Sequence, residues 1–245
     1  MKNAMIFTLA ATGAAMAATV DVTSDIETSV TWTADNEYNL TTQIYVRPGA
    51  TLTIEAGTRV VSTATANGSG ALCVVNGGQI FINGDSNAPV VMTSSEDNGN
   101  WRASCNEWGN LTICGDAYIG FDGVTNSGGF PGNTLAPSAS NEANMEGLVE
   151  EAGNPSLNNY GGGDDDYDAG NISYLSLRYG GRVLGLANEL NGLSLGALGR
   201  NTQIDHVEIM NNVDDGIEIW GGTVSLKYVA IWNIGDDSFD CDQGW

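Results

Sequence analysis

The amino-acid sequence predicts an all-β solenoid, a coil in which short parallel strands stack on one another. The first observation is a repeat, because residues 204–219 are answered by residues 226–241 at an offset of 22 residues. A third, stretched copy begins at Ile172, 32 residues before Ile204. Within each copy, apolar residues alternate and then give way to Asn, Asp and Gly. Short strands, sharp turns and a repeat of about 20 to 30 residues are typical of a solenoid.

The composition limits the partners of this chain. At 245 residues and 42% apolar content, the chain is long and apolar enough to bury a sizeable core. It has 8 Lys and Arg residues against 30 Asp and Glu residues, which gives a formal net charge of −22. Such a surface repels nucleic acid and anionic lipid and attracts cations. Nucleic acid is therefore excluded as an expected partner.

The N-terminus predicts export. Residues 1–17 combine a positive charge at Lys2, an apolar run over 5–16 and a small-residue cleavage site at 15–17, which is the pattern of a signal peptide. That run is too short to span a membrane, and no later segment reaches 18 uninterrupted apolar residues. We expect a mature protein that begins near Ala18, has no transmembrane segment, and is extracellular or located on the cell surface.

The four cysteines are compatible with an oxidising compartment. Cys105 and Cys114 are nine residues apart in a polar stretch, so the sequence predicts a local disulfide between them. Cys73 and Cys241 lie in strand-like alternation, where small buried side chains are common, and their pairing stays open.

Each region of the chain has its own pattern. Residues 18–45 alternate polar and β-branched types, which predicts N-terminal strands that cap the open end of the coil. Residues 46–245 form the coil itself, because residues 46–54 are echoed by 74–82 at an offset of 28. Since the last strand pattern ends four residues before Trp245, we expect further chain or another protein to cover the last turn of the coil.

The pattern dissolves between residues 121 and 170. Gly, Asn, Ser, Pro and acidic residues dominate there, and the coil resumes at Asn171. A loop of this length is unusual in a compact domain unless it has a function or is disordered. We name residues 121–170 the excursion and expect an irregular acidic insertion.

Several segments resemble one family. Residues 30–35, 48–58, 108–111, 174–181 and 235–240 are similar to recurring segments of exported bacterial right-handed parallel β-helix repeat proteins with a pectate-lyase-like fold. That family consists mostly of uncharacterised surface or secreted proteins. The resemblance implies a right-handed parallel β-helix and export, but it implies no settled activity.

Stacking of the two repeat copies creates columns of acidic residues. Equivalent residues lie about 4.8 Å apart along the coil, and like charges at about 5 Å near a surface cost about 1–3 kcal/mol per pair. A cation would offset this repulsion, and Ca²⁺ accepts irregular carboxylate ligands. The alternative is that these are solvated turn carboxylates. The predicted calcium ligands are Asp214, Asp215, Glu218, Asp236, Asp237 and Asp240, with a second candidate group at Asp164, Asp165, Asp166 and Asp168.

An enzymatic alternative rests on residues 235–237. This Gly-Asp-Asp resembles the paired-Asp motif of polygalacturonase-type β-helix hydrolases, and Asp215 resembles their preceding Asp-Gly. The resemblance would make Asp215, Asp236 and Asp237 the acid and base of a glycoside hydrolase. That family also has a Gly-His-Gly and an Arg-Ile-Lys, which this sequence lacks. A lyase would need a base such as Lys227 or Arg200.

Outward aromatic residues predict a sugar-binding face. Apolar faces of sugars stack well on aromatic rings, so we expect a flat polysaccharide platform composed of Tyr174, Trp220, Tyr228 and Trp232. Alternatively, these residues pack beneath the excursion. His206, the single histidine, is expected to be a surface packing residue within this column. The function expected from the sequence is a non-catalytic adhesion or binding protein that is stabilised by calcium and binds polysaccharide.

Overall fold

The computed structural model describes residues 18–65, 70–121, 136–185 and 188–245. The predicted signal peptide and residues 122–135 of the excursion lie outside the described residues. The strands are β1 (Ala18–Val22), β2 (Val30–Trp32), β3 (Asn36–Leu40), β4 (Gln43–Val46), β5 (Thr51–Glu55), β6 (Arg59–Ser62), β7 (Ala71–Val74), β8 (Gln79–Asn83), β9 (Val90–Ser94), β10 (Leu111–Cys114), β11 (Ala143–Asn144), β12 (Asn159–Tyr160), β13 (Gly170–Arg178), β14 (Val183–Gly185), β15 (Asn188–Glu189), β16 (Leu193–Leu198), β17 (Gln203–Asn212), β18 (Ile217–Gly222), β19 (Ser225–Ile234) and β20 (Phe239–Asp242). A 3-10 helix spans Pro155–Asn158.

Two sheets of parallel strands form the wall of the molecule. The first follows the order β1-β3-β6-β9-β13-β8-β5-β2, with β17 added beside β13 and β19 beside β17, and the second follows β20-β18-β16-β10-β7-β4. Neighbouring strands in these sheets are not consecutive in sequence, because the chain passes once around the coil before it returns to the same sheet. Strands β1 to β4 also pair in parallel with later strands and are therefore built into the coil. The predicted all-β parallel β-helix is confirmed.

The repeat seen in the sequence is the register of the late turns. Ile204 is paired with Leu226 and Val207 with Val229 between β17 and β19, at the predicted offset of 22 residues. The stretched copy is also in register, because Ile172 pairs with Ile204. The alternating apolar side chains consequently stack inside the coil as one continuous core.

Each late turn bends at residues with a left-handed backbone. His206 and Asn211 have φ angles of 52° and 59°, and the paired strands place equivalent residues above and below them. A left-handed conformation costs roughly 1–2 kcal/mol for a residue other than glycine. The columns offset part of this cost by side-chain contacts: the Asn233 side-chain amide donates to Asn211 Oδ1 at 3.0 Å. The three columns are Tyr174, His206 and Tyr228; Tyr179, Asn211 and Asn233; and Ala197, Gly221 and Gln243.

The described part of the excursion covers the outside of the six-stranded sheet. Met145, Leu148 and Tyr160 pack there against side chains such as Trp220, and together they form a second apolar cluster outside the coil. The short antiparallel pair β11–β12 holds this cover together. The excursion is therefore at least partly an ordered layer and not only a polar loop.

The structure does not bring the predicted disulfide pair together, because Cys105 and Cys114 are both free thiols. Cys114 is fully buried beneath the excursion, where its Sγ lies 3.8 Å from the carbonyl oxygen of Asn158. Cys105 is exposed in a loop whose neighbour Ser104 accepts a hydrogen bond from Asn211 through its carbonyl oxygen. The two thiols lie in different environments, although only nine residues separate them.

Within the described residues, no helix has the length and apolar character needed to cross a membrane.

Truncation of the stacked core is expected to be costly. Leu195 on β16 is fully buried, so Leu195→Ala should lower the free energy of unfolding by about 2–5 kcal/mol through lost apolar contacts and a residual cavity. Leu184→Ala removes the same atoms from a side chain that is 39% exposed, and it should cost less than about 1 kcal/mol. Urea unfolding of both variants measures the difference, and equal losses would contradict the assigned core.

Candidate metal centre

A tight turn before β18 positions the acidic cluster. The side-chain amide of Asn212 donates to the Asp215 carbonyl at 2.8 Å, which closes the turn. The Gly216 N–H donates to the carbonyl of Asp237 on the next turn of the coil. A Cβ at Gly216 would lie 2.7 Å from the carbonyl oxygen of Ser238, so this approach requires glycine. The two copies of the repeat are thereby held in close contact at their acidic residues.

The predicted acidic columns do converge. Two groups of three carboxylates each place one oxygen per residue within 4.8 Å of one another. Asp215 belongs to both groups and is buried, whereas Asp237 belongs to neither and is exposed. The backbone N–H of Asp237 donates to Asp215 Oδ1 at 2.8 Å instead. The two groups are Asp214, Asp215 and Asp236, and Asp215, Glu218 and Asp240.

Buried asparagines position the inner carboxylates. The Asn191 amide donates to Glu218 Oε2 at 2.6 Å, and its Oδ1 accepts the backbone N–H of Asp215 at 3.2 Å. Asn110 in turn donates to the Asn191 carbonyl at 2.9 Å. Sequence reasoning missed Asn191, because it lies at the end of the insertion that interrupts the repeat. It orients two acidic groups at once.

The excursion contributes a further carboxyl group. The side chains of Glu146 and Glu218 share a hydrogen bond, and the charges of Glu189 and Asp214 also act on Glu146. Glu146 lies outside the repeat, in a segment that sequence reasoning treated as irregular. No periodic signal marked it as part of the site. The excursion therefore packs against the acidic cluster as well as the apolar sheet.

Burial and mutual repulsion disfavour negative charge in this cluster. Burial and then the charge of Glu146 raise the pKa of Glu218 to about 10. Burial also raises the pKa of Glu146 to about 7 and that of Asp215 to about 6, with the charge of Asp214 adding to both. Glu218 therefore holds a proton at neutral pH unless a cation takes its place.

The second predicted calcium group is not brought together. Arg200 forms ion pairs with two of its members, with nitrogen–oxygen distances of 3.7 Å to Asp165 and 2.6 Å to Asp166. The Oδ1 atoms of Asp164 and Asp168 accept backbone N–H groups within the same loop. Across the described ranges, no three oxygens of this group cluster as those of the repeat do.

One aromatic column forms as predicted. The ring of His206 stacks between Tyr174 and Tyr228, with centroid distances of 4.1 and 4.5 Å. Tyr228 is 72% exposed, so the end of the stack faces solvent. His206 Nδ1 lies 2.6 Å from Asp205 Oδ1, which anchors the ring at its inner edge.

The flat face of four aromatic residues is wrong for one member. Trp232 is exposed on β19, but Trp220 is only 6% exposed. Trp220 lies on β18 in the six-stranded sheet and packs beneath the excursion, with its ring 6.0 Å from that of Tyr160. The exposed set is therefore the end of the stacked column together with Trp232.

The residues of the enzymatic alternative are only partly assembled. Asp236 and Asp237 are exposed, whereas Asp215 is buried between the asparagine network and the next turn. Neither expected lyase base is among the acids. Lys227 pairs in register with Asp205, and Arg200 binds the excursion.

These features define a class of protein, a parallel β-helix that has a carboxylate cluster on its wall beneath an ordered excursion. The family model described as the pectate-lyase like beta helix domain matches residues 24–245, and the chain belongs to that family. The pectate-lyase-like fold expected from the sequence resemblance is thereby confirmed. Comparison with curated proteins and with solved structures gives no match.

The acidic cluster predicts an unusual pH dependence in the presence of a chelator. The raised pKa values mean that, above the ordinary carboxyl pKa of about 4, the folded state binds more protons than the unfolded state. This stabilisation is complete below the unfolded value and is lost as the pH rises through the folded values. The free energy of unfolding in EDTA should therefore fall between about pH 5 and pH 8, as measured by urea titration.

A matched pair of variants isolates the cause. Glu218→Gln retains the acceptor for Asn191 but cannot ionise, so it should flatten the fall and stabilise the protein at about pH 8. Glu96→Gln alters an exposed carboxyl elsewhere and should leave the slope unchanged. An equally steep fall in Glu218→Gln would rule out this origin.

Proposed function

We propose that this protein is an exported, non-catalytic binding protein of the cell surface or extracellular space, stabilised by Ca²⁺ and able to bind polysaccharide. The observation that carries the calcium assignment is the position of Asp215 in two groups of three carboxylates, each group having its ligand oxygens within 4.8 Å of one another. The raised pKa values support this assignment, because a divalent cation would offset the repulsion among these buried like charges.

The chemistry of the ligands favours calcium among the common cations. Each side chain of the two groups offers oxygen, which is the ligand of hard cations such as Ca²⁺. Structural zinc sites are instead composed mainly of Cys and His. Irregular carboxylate geometry suits Ca²⁺ better than Mg²⁺, which demands a near-ideal octahedron. The net charge of −22 also raises the local cation concentration.

The proposed ion would have a structural role. Asp215 and Glu218 belong to one turn of the coil, Asp236 and Asp240 to the next, and Glu146 approaches from the excursion. A cation among them replaces repulsion by attraction between these segments. Because only the folded chain assembles these ligands, calcium binding would add directly to the free energy of unfolding.

Loss of the shared carboxylate is expected to weaken calcium binding. Asp215→Asn retains an acceptor for the Asp237 N–H but removes the charge common to both groups, so affinity should fall at least about tenfold, or about 1.4 kcal/mol. Calorimetric titration with CaCl₂ and the shift of melting temperature on adding EDTA measure this. Asp166→Asn, in the loop bound by Arg200, serves as the control and should change neither. A wild-type melting temperature that is insensitive to EDTA would refute the site.

The polysaccharide proposal rests on the exposed end of the aromatic stack. Tyr228 presents a ring that His206 supports from behind, and Trp232 lies further along the same strand. Amphipathic rings of this kind bind the apolar faces of sugars. A ring that is already held in place loses little conformational freedom on binding.

A second candidate, glycoside hydrolysis, is favoured by one observation. The pKa of Asp215 is raised to about 6 by burial, with a further contribution from Asp214, and such a carboxyl suits a general acid. Exposed Asp236 and Asp237 would then supply the base on the adjacent turn.

One pair of measurements separates binding from hydrolysis. Tyr228→Ala should reduce retention of the protein in gels containing a neutral polysaccharide by several-fold, because it removes the exposed ring of the stack. Trp101→Ala removes an exposed aromatic ring from a different loop and should leave retention unchanged. The polymer is expected to keep its length. Shortening that Asp237→Asn abolishes would instead establish the hydrolase.

A further inference from the structure

A cleft that shares no residue with the two carboxylate groups contains an arginine that has no acidic partner among the described residues. The cleft has a volume of about 410 Å³ and lies between the N-terminal strands and the excursion. Arg182, just before β14, is only 9% exposed and closes one side. Its carbonyl accepts the N–H of Leu190 at 2.7 Å, so its backbone is fixed by the short hairpin β14–β15. The other lining residues are Asp25, Thr42, Gln43, Tyr45, Val149, Glu150 and Glu151.

Three of the charged groups around the cleft already form ion pairs with one another. Arg47 forms ion pairs with both Asp25 and Glu151. Glu150 is exposed at the rim. Arg182 forms no ion pair with any described residue, and burial lowers its pKa. A buried cation without a counter-ion is costly, and it indicates a site for an anion.

The side chain of Arg182 is held in place, but not every guanidinium N–H has a partner among the described residues. Its single side-chain partner among the described residues is Gln43, whose Oε1 accepts from one guanidinium nitrogen at 3.0 Å. Gln43 is itself fixed, because the same Oε1 accepts the backbone N–H of Val149 at 3.0 Å. A guanidinium group has five N–H donors, so several remain for a ligand. The fork of donors is thus oriented by the protein before any ligand binds.

We propose that this cleft binds a small hydroxylated monocarboxylate, with its carboxylate on Arg182. The planar guanidinium matches a carboxylate with two parallel hydrogen bonds. The charge of Glu150 at the mouth disfavours a dianion such as phosphate more than a monoanion, and the carboxylates of Asp25, Glu150 and Glu151 can accept hydrogen bonds from hydroxyl groups. The volume suits a molecule with one or two sugar rings. The ligand is a sugar acid or a free hydroxy acid.

The test is calorimetric titration of the full chain in EDTA with three probes, namely glucuronate, lactate and glucose. EDTA removes calcium, so failure of the calcium proposal does not affect the result. Glucuronate should bind at least about tenfold more tightly than glucose, which differs by lacking the carboxylate. Lactate binding as tight as glucuronate would assign the free hydroxy acid, and weaker lactate binding would assign the sugar acid. Equal binding of glucuronate and glucose, or no binding of either acid, overturns the proposal.

Variants locate the binding in the cleft. Arg182→Gln should weaken glucuronate binding at least about tenfold, and Arg182→Lys should give an intermediate loss, since it retains charge without the fork. Arg200→Gln, an exposed arginine paired with Asp166, is the control and should bind as the wild type does. Unchanged affinity in Arg182→Gln overturns the assignment. If Arg182→Gln does not fold, the comparison of glucuronate binding with glucose binding to the wild type still tests the proposal.

Discussion

The structure depends on one constraint, the parallel hydrogen bonding of each turn of the coil to the next. This pairing places equivalent residues directly above one another at about 4.8 Å. Any residue type that recurs in the repeat therefore becomes a column. Inside the wall the columns are apolar and form the core, and at the bends they are left-handed residues such as His206 and Asn211. At the turn before β18 they are carboxylates, and the same stacking makes these like charges repel one another.

The site arises where this constraint meets a second layer. The repeat alone brings acidic residues together in pairs, but Asn191 and the excursion bury them. Burial changes solvated turn carboxylates into groups with raised pKa values, because it removes the water that would screen their charges. Within the excursion, Glu146 packs against the acids, whereas Tyr160 packs against apolar residues such as Trp220. The excursion is therefore part of the site and of the core.

The sequence predicted the features that recur in the repeat, and it missed the contacts made by segments outside the repeat. Offsets of 22 and 32 residues are visible in the chain, so the register of Ile172, Ile204 and Leu226 and the convergence of the acids could be inferred. Contacts from Glu146 depend on how a non-repeating segment folds back, and no periodicity encodes this. Nearness in sequence likewise does not decide whether two cysteines meet, since Cys105 is exposed in a loop and Cys114 is buried on β10.

The unbroken 22-residue spacing of the last turns has a consequence for how such a molecule changes length. Because the paired turns share the same bends at His206 and Tyr228, one unit can be duplicated or deleted without altering the cross-section. Each copy lengthens the coil by about 4.8 Å, so length increases in equal steps like the rungs of a ladder. The same event adds one carboxylate set and one aromatic ring. Gene duplication would thus increase the length of the coil together with its number of stacked carboxylates and aromatic rings.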